Sequence, residues 1–471
     1  MRTNRALGFL LVVSLVILAA CSGGGSSSPP PPQTGTAPLS VTIKDAPPAG
    51  VTVLSFEVTI TGAVLQPGNV SLVSTPIEIE VKQLEVETAF LSTINVPAGT
   101  YNSLQLTVSN PELTIKNDTG QALTTPFGSC ASGAVCEFEP NLSTSVTINF
   151  AQPITIQANT PAGLIIDANL SNLIGSNVGI DFSATNGFTA QQLTGVGFPT
   201  GQLEEIELEG TVANKDTANN QFTLQTSSGD RTIKVDNNTE FEDFDTDAGC
   251  TANNFTCVQN GQVVEVELKL MAGGMLVAKE VEFEDGQLDD ELEGIITAIP
   301  SSTQFQMVVT DELRNIASID VGNAVTVTLA SGAQFRVDDD GLTVPAVQRT
   351  LFEGSLDTSQ LMVGQTVQVR RLSSSSGMNI NTDRVRLRGT RFTATVASIA
   401  LPDNFAVNGL PSLFTSAGIA QIQVQTSSRT DFDNAPSGVS SLATGNLVSL
   451  RGLLFKNTPD PILVAKKVRK R

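Results

Sequence analysis

Leu54-Ser55-Phe56-Glu57-Val58-Thr59-Ile60 sets an apolar side chain at every second position, with Ser55, Glu57 and Thr59 between them. Successive side chains of a strand point to opposite faces, so this stretch reads as a β-strand buried on one side. The same period returns in Ile77-Glu78-Ile79-Glu80-Val81 and in Leu104-Gln105-Leu106-Thr107-Val108. Between such runs stand turn formers: Pro67-Gly68, Pro97-Ala98-Gly99 and Asp118-Thr119-Gly120. No long amphipathic helix breaks the pattern. The expectation is an all-β chain that opens with an antiparallel β-sandwich over 39–200.

Beyond that point the chain aligns with itself. Each copy carries an opening strand, a Phe-centred strand (Phe222, Phe305, Phe405), a Phe beside acidic residues (Phe241, Phe335, Phe432), a Gly-x-x-Val element and a closing Val-centred strand. The Gly-x-x-Val elements are Gly261-Gln262-Val263-Val264, Gly364-Gln365-Thr366-Val367 and Gly445-Asn446-Leu447-Val448. Three modules follow, at 204–286, 291–388 and 389–471, with insertions in the second around 310–325 and 343–356. Short strands at this spacing close into small OB-like β-barrels.

Two resemblances attach to these segments. Leu39-Ser40-Val41-Thr42-Ile43-Lys44-Asp45-Ala46-Pro47, followed by Val96-Pro97-Ala98-Gly99-Thr100-Tyr101-Asn102-Ser103-Leu104-Gln105-Leu106, resembles the bacterial domain of unknown function 4382 over roughly 39 to 175. Glu209-Gly210-Thr211-Val212, Val235 to Phe241 and Ala278-Lys279-Glu280-Val281 resemble the small β-barrel domain of unknown function 5666. These likenesses imply an exported β protein and carry no activity.

The first residues say where the chain lives. Arg2 and Arg5 precede an apolar run from Leu7 that ends in Leu18-Ala19-Ala20-Cys21. The run is short for a membrane span and reads as an export signal over 1–20, with cleavage before Cys21. The segment resembles that of bacterial lipoproteins, which implies acylation of Cys21 and membrane attachment by lipid alone. Ser22 to Pro38, with its Gly, Ser and Pro runs, cannot pack a core; 21–38 is expected to be a tether. The expected location is therefore that of an exported lipoprotein in the outer membrane or at the cell surface.

Composition removes much familiar chemistry. Histidine and tryptophan are absent, and Tyr101 is the only tyrosine. Ser-His-Asp triads and His-ligated zinc are thereby excluded, and stacking platforms would have to be built from phenylalanine. The net charge of −20 becomes −22 once Arg2 and Arg5 leave with the signal, which argues against nucleic acid as a partner. Cys130 with Cys136, and Cys250 with Cys257, are expected to form local disulfides in an oxidising compartment. Tyr101 reads as a structural residue whose hydroxyl bonds backbone.

Among ligand-like runs, Asp243, Asp245 and Asp247 ahead of Gly249 are the sharpest, since alternate carboxylates in a turn can converge on calcium. Asp236 and Glu242 could add to that set. The run departs from an EF-hand loop: its glycine is one position late, and Asn254 stands where a bidentate glutamate belongs. Asp338-Asp339-Asp340 before Gly341 is a second, weaker run. The alternating acids of Val264-Glu265-Val266-Glu267-Leu268 and Val281-Glu282-Phe283-Glu284 read as solvated strand faces rather than a catalytic pair.

Charge inverts along the repeats. Residues 204–293 hold 22 acidic and 5 basic residues, a net of −17, whereas 370–471 hold 5 acidic and 14 basic, a net of +9. In the alignment Glu267 corresponds to Arg370 and Arg451, Glu282 to Arg386 and Arg469, and Glu284 to Arg388 and Arg471. Independent drift of solvent-facing residues is the simpler explanation. The sharper one is docking of the acidic module on a basic one, or of the basic tail on an anionic envelope polymer or lipid. The functional expectation is a non-catalytic binding, adhesion or scaffolding protein for an envelope protein or glycan. A carboxylate-pair glycan-processing enzyme and a calcium-stabilised adhesin are the alternatives.

Overall fold

The computed structural model describes residues 36–46, 51–73, 75–86, 88–160, 162–193, 208–226, 229–244, 248–271, 275–284, 291–312, 319–339 and 341–471. The expected signal segment and Cys21 lie outside the described residues. Strand Thr36–Ala46 begins three residues before the expected end of the tether, so 36–38 belong to the first domain.

The alternating runs are strands, and the chain is all-β. In the N-terminal domain one sheet is built from Phe188–Leu193, Ala162–Asn169, Thr36–Ala46 and Ala89–Pro97, in that spatial order. A second sheet centres on Gly99–Lys116 and Thr52–Gln66. Leu164 and Ile166 of the first sheet share a core with Phe56, Ile60, Leu104 and Leu106 of the second, which makes a sandwich. One pairing departs from the antiparallel expectation: Thr36–Ala46 runs parallel to Ala162–Asn169. Parallel neighbours need a long connection, and the body of the domain supplies it.

Each repeat closes on itself. In the first, Leu208–Asp216, Gln221–Thr226, Gly229–Lys234, Met275–Glu284 and Val263–Met271 pair in a ring sealed by a parallel contact between Ile233 and Leu276. The second ring follows the same path through Glu291–Ser301, Gln304–Glu312, Ala324–Val337, Asn379–Ala400 and Thr366–Arg370. In the third, Asn379–Ala400, Asn404–Asn408, Ile422–Gln425, Ile462–Lys470 and Leu447–Phe455 repeat it. Repeat equivalence extends to single bonds. Gly261, Gly364 and Gly445 take φ of 91°, 90° and 89°, a region that favours glycine. Their N–H groups donate at 2.8 Å to the carbonyls of Val212, Ile296 and Val396.

Asn379–Ala400 serves two barrels. It closes the second ring and opens the third, passing through 388/389 without a break. Leu453, Phe455, Ile462 and Val464 of the third barrel join the core of the second. The first barrel, by contrast, has its own core, joined by Ile165 of the sandwich. The sandwich also meets the later barrels: Thr114 Oγ1 donates to the Gly322 carbonyl at 2.9 Å, and Asn323 Nδ2 to Glu137 Oε1 at 2.9 Å.

Candidate functional site

In the first barrel, strands Val263–Met271 and Met275–Glu284 run antiparallel with Glu265 opposite Glu282 and Glu267 opposite Glu280. Like charges directly opposite one another on a strand pair are destabilising. Cations from the later barrels offset them. The Arg388 guanidinium donates through Nη2 to both oxygens of Glu265, at 2.8 and 2.7 Å, through Nε to Glu293 at 3.1 Å, and through Nη1 to Asp338. Arg386 stands 3.6 Å from Glu284. From the third barrel Lys466 pairs with Glu267 at 3.1 Å and Glu280 at 3.3 Å, and Asp431 reaches back to Lys279. Arg429 and Glu240 pair at the exposed rim.

This overturns the reading of those acids as solvated strand faces. Glu265, Glu267, Glu280, Glu282 and Glu284 are each only 5–8% exposed. Period two separates a polar from an apolar face, and here the polar face of one barrel is covered by the polar faces of its neighbours. The inverted charge of the repeats is accordingly realised as docking. Burial opposes charge on Arg388, yet Glu265, Asp338 and Glu293 outweigh it and hold the guanidinium well above its ordinary value. Burial, reinforced by Asp338 and Glu284, pushes Glu282 well above the usual carboxylate range. The basic end of the chain meets the sandwich: Arg469 Nη1 and Arg471 Nη2 donate to the Glu85 carbonyl at 3.4 and 2.6 Å.

The remaining candidates are distributed as follows. Cys130 is bonded to Cys136, and Cys250 to Cys257, as expected. Tyr101 is buried and its hydroxyl donates to the Pro97 carbonyl at 2.8 Å. Asp243 sits at a φ of 58°, while Asp245 and Asp247 lie outside the described residues. Next to it Phe244 is fully buried against Phe241 and Phe283, so the loop is anchored from inside the barrel. The second acidic run is divided: Asp338 joins Arg386 and Arg388, Asp339 pairs with Arg349, and Asp340 is outside the described residues. Glu240, Glu242 and Glu280 converge nearby, with the Gly341 N–H donating to Glu242 at 3.3 Å.

A cleft of about 420 Å³ opens where the sandwich and the last two barrels meet. Val53, Leu54, Ile295, Phe392, Leu413 and Phe414 give it an apolar lining. Arg391 and a Lys82–Glu85 pair at 2.7 Å stand on its wall. Nothing in the sequence marked it, because its lining is drawn from seven separate stretches.

Comparison with known families matches residues 36–178 to Domain of unknown function (DUF4382) and residues 209–282 to Domain of unknown function (DUF5666), in the order expected from the sequence. No curated protein and no solved structure matches the chain.

Proposed function

We propose that this chain is a lipid-anchored cell-envelope protein that binds a partner without catalysing a reaction, its sandwich and barrels forming one docked block. The cleft between the sandwich and the last two barrels carries this reading. Its size and mixed lining are those of a binding site at a domain junction. The apolar lining, in a chain with no tryptophan and a single tyrosine, favours a segment of an envelope protein over a glycan. Acylation at Cys21 supports the location: tethering raises the effective concentration of the cleft near the membrane, so weak contacts are occupied.

The carboxylate-pair alternative has its nearest candidates in Glu265 and Glu282. They face one another, but they are buried beside Arg388 and do not line the cleft.

Two substitutions at the cleft test the reading: Leu447→Asp at its half-exposed rim and Ser412→Trp on its wall. Both should abolish capture of the partner that the wild-type chain cross-links in native envelope, while leaving the melting temperature near the wild-type value. Capture undiminished in both variants overturns the assignment of the cleft. The anchor is tested separately: Cys21→Ser should release the chain from the membrane, and a wild-type N-terminus without acyl chains in mass spectrometry overturns it.

A further inference from the structure

Strand Ser143–Ile156 ends the second sheet of the sandwich. One side of it pairs antiparallel with Gly99–Lys116, from Ser143 opposite Ser109 to Asn149 opposite Ser103. On the other side its far end is capped by Gln192, whose side-chain amide accepts from the Thr155 N–H at 3.3 Å and donates to the Thr155 carbonyl at 3.1 Å. No such cap covers 143–149. Among the described residues no strand pairs with that stretch from the other side, and no loop backbone bonds to it. A strand at a sheet edge leaves alternate N–H and C=O groups pointing outward, and these recognise another extended backbone.

Such edges are ordinarily protected by charge, proline or shortness. The opposite edge of the same sheet follows that rule: Val70–Ser71 has only two residues, and Ile77–Glu80 carries Glu78 and Glu80. The 143–149 edge does not. No Asp, Glu, Lys or Arg stands between Glu139 and Asp167, and Pro153, the one proline of the strand, lies beyond the open stretch. The side chains alternate: Ser143, Ser145, Thr147 and Asn149 are exposed, Thr144 and Val146 half-buried and Ile148 buried.

We propose that this edge pairs with the same edge of a second copy of the chain, antiparallel about a two-fold axis at Val146. That register uses the whole open stretch: Ser143 of one copy faces Asn149 of the other, Thr144 faces Ile148, Ser145 faces Thr147, and Val146 faces itself. Exposed positions thereby meet exposed ones and core-facing positions meet core-facing ones, so the two sheets continue as one. No like charges are brought together. Ser145 already bonds Thr107, opposite it on the paired strand, hydroxyl to hydroxyl at 2.8 Å; Ser145 against Thr147 repeats that pair across the axis. Two-fold pairing consumes both edges, so association stops at the dimer. The segment ahead of the first strand does not suit the edge, because Pro29 to Pro32 have no N–H to donate. This inference stands whatever partner the cleft holds and whether or not Cys21 is acylated.

The test uses the full-length Cys21→Ser chain, in which an introduced cysteine is the only thiol outside the two disulfides. It is run at millimolar concentration, since so short an edge makes a small interface. Mild oxidation with diamide should join Val146→Cys chains into a covalent dimer, because the facing Cβ atoms would lie about 4.5–5.5 Å apart. Leu401→Cys, exposed in a hairpin of the third barrel, reports random collision and should cross-link far less. Val146 packs partly against the core, so an equal mixture of Ser145→Cys and Thr147→Cys chains, both changed on the exposed face, gives a second readout: the mixture should dimerise and each chain alone should not. Adding Ser145→Lys and Thr147→Lys to Val146→Cys should lower the cross-linked fraction about tenfold, whereas Ser145→Lys with Thr147→Glu, which sets opposite charges face to face, should retain it. Cross-linking no greater than that of Leu401→Cys, both in Val146→Cys and in the mixture, would overturn the proposal. Cross-linking undiminished by the two lysines would place the contact elsewhere on the surface and overturn it equally.

Discussion

Arg388 holds Glu265 through two contacts of 2.8 and 2.7 Å from one guanidinium nitrogen, although 123 residues separate them in sequence. Arg388 ends the part of strand Asn379–Ala400 that closes the second barrel, and Glu265 stands opposite Glu282 in the first. A single side chain thus joins two closed barrels whose hydrophobic cores are separate among the described residues. Where the second and third barrels fuse through a common strand and common core residues, the first is attached by charge.

Removing that guanidinium should be costly. Arg388→Met leaves Glu265, Glu293 and Asp338 buried without their shared partner. Breaking a buried pair from one side costs about 3–5 kcal/mol. Denaturant unfolding should show the loss, with Arg388→Lys intermediate because an ammonium cannot reproduce the planar fork. A change below about 0.5 kcal/mol in Arg388→Met, the size expected of an ordinary surface substitution, would mean that the contact is incidental to docking.

The barrels were legible because their signals are local. Gly261, Gly364 and Gly445 announce themselves by spacing, and the backbone there demands glycine. The cysteine pairs were legible for the same reason: only six and seven residues separate their members. Alternation, however, carries neither direction nor partner. It could not show that Thr36–Ala46 would lie parallel to Ala162–Asn169, nor that the strand through Arg388 and Gly389 would cross what reads as a module boundary. Nor could it say that Glu265 and Glu282 would be covered by arginines rather than water. The charge inversion held that information, but only as a property of three aligned copies.

A second acidic group predicts a pH response. Glu57 lies opposite Glu80 on one neighbouring strand and Glu112 on the other. Burial, then Glu78, Glu80 and Glu112, raise Glu57 from 4.5 to about 9. Burial, then Asp320, Glu139, Glu137 and Glu78, raise Glu112 to about 7. A carboxyl raised on folding stabilises the native state below its unfolded value near 4.5, and that contribution is lost as pH rises through 7 and then 9. The melting temperature should therefore fall between pH 5 and pH 9. Glu57→Gln should flatten the fall, gaining more at pH 9 than at pH 5; equal gains at both values would refute the assignment.

Gly294 predicts a steric effect. A Cβ there would lie 2.4 Å from the Val308 carbonyl oxygen, on the backbone of a paired strand. Gly294→Ala should cost about 1–3 kcal/mol, as overpacking of a rigid neighbour does. In the third barrel Ala394 occupies the matching place; at Gly389, earlier on the same strand, a Cβ would meet the Arg451 side chain at 2.9 Å, which can move. Gly389→Ala should be the milder of the two. Comparing their denaturation midpoints checks the order, and the reverse order would contradict it.

Salt should do little to the docking, whereas charge reversal should undo it. Exposed pairs weaken as the screening length falls from about 10 Å at 0.1 M to about 3 Å at 1 M, but buried pairs are screened much less. Glu265, Glu267 and Glu280 are buried with their partners Arg388 and Lys466, whereas the Arg429–Glu240 contact and the Asp431 side of the Lys279–Asp431 contact are at an exposed rim. The radius of gyration of the full chain should therefore be the same at low and high salt. In the double variant Arg386→Glu and Arg388→Glu, two new negative charges would join Glu265, Glu282, Glu284 and Asp338 in place of two guanidiniums. The first barrel should swing away, and small-angle scattering should record a larger radius of gyration. An unchanged radius in that variant would mean that the barrels are held by contacts other than this charge interface.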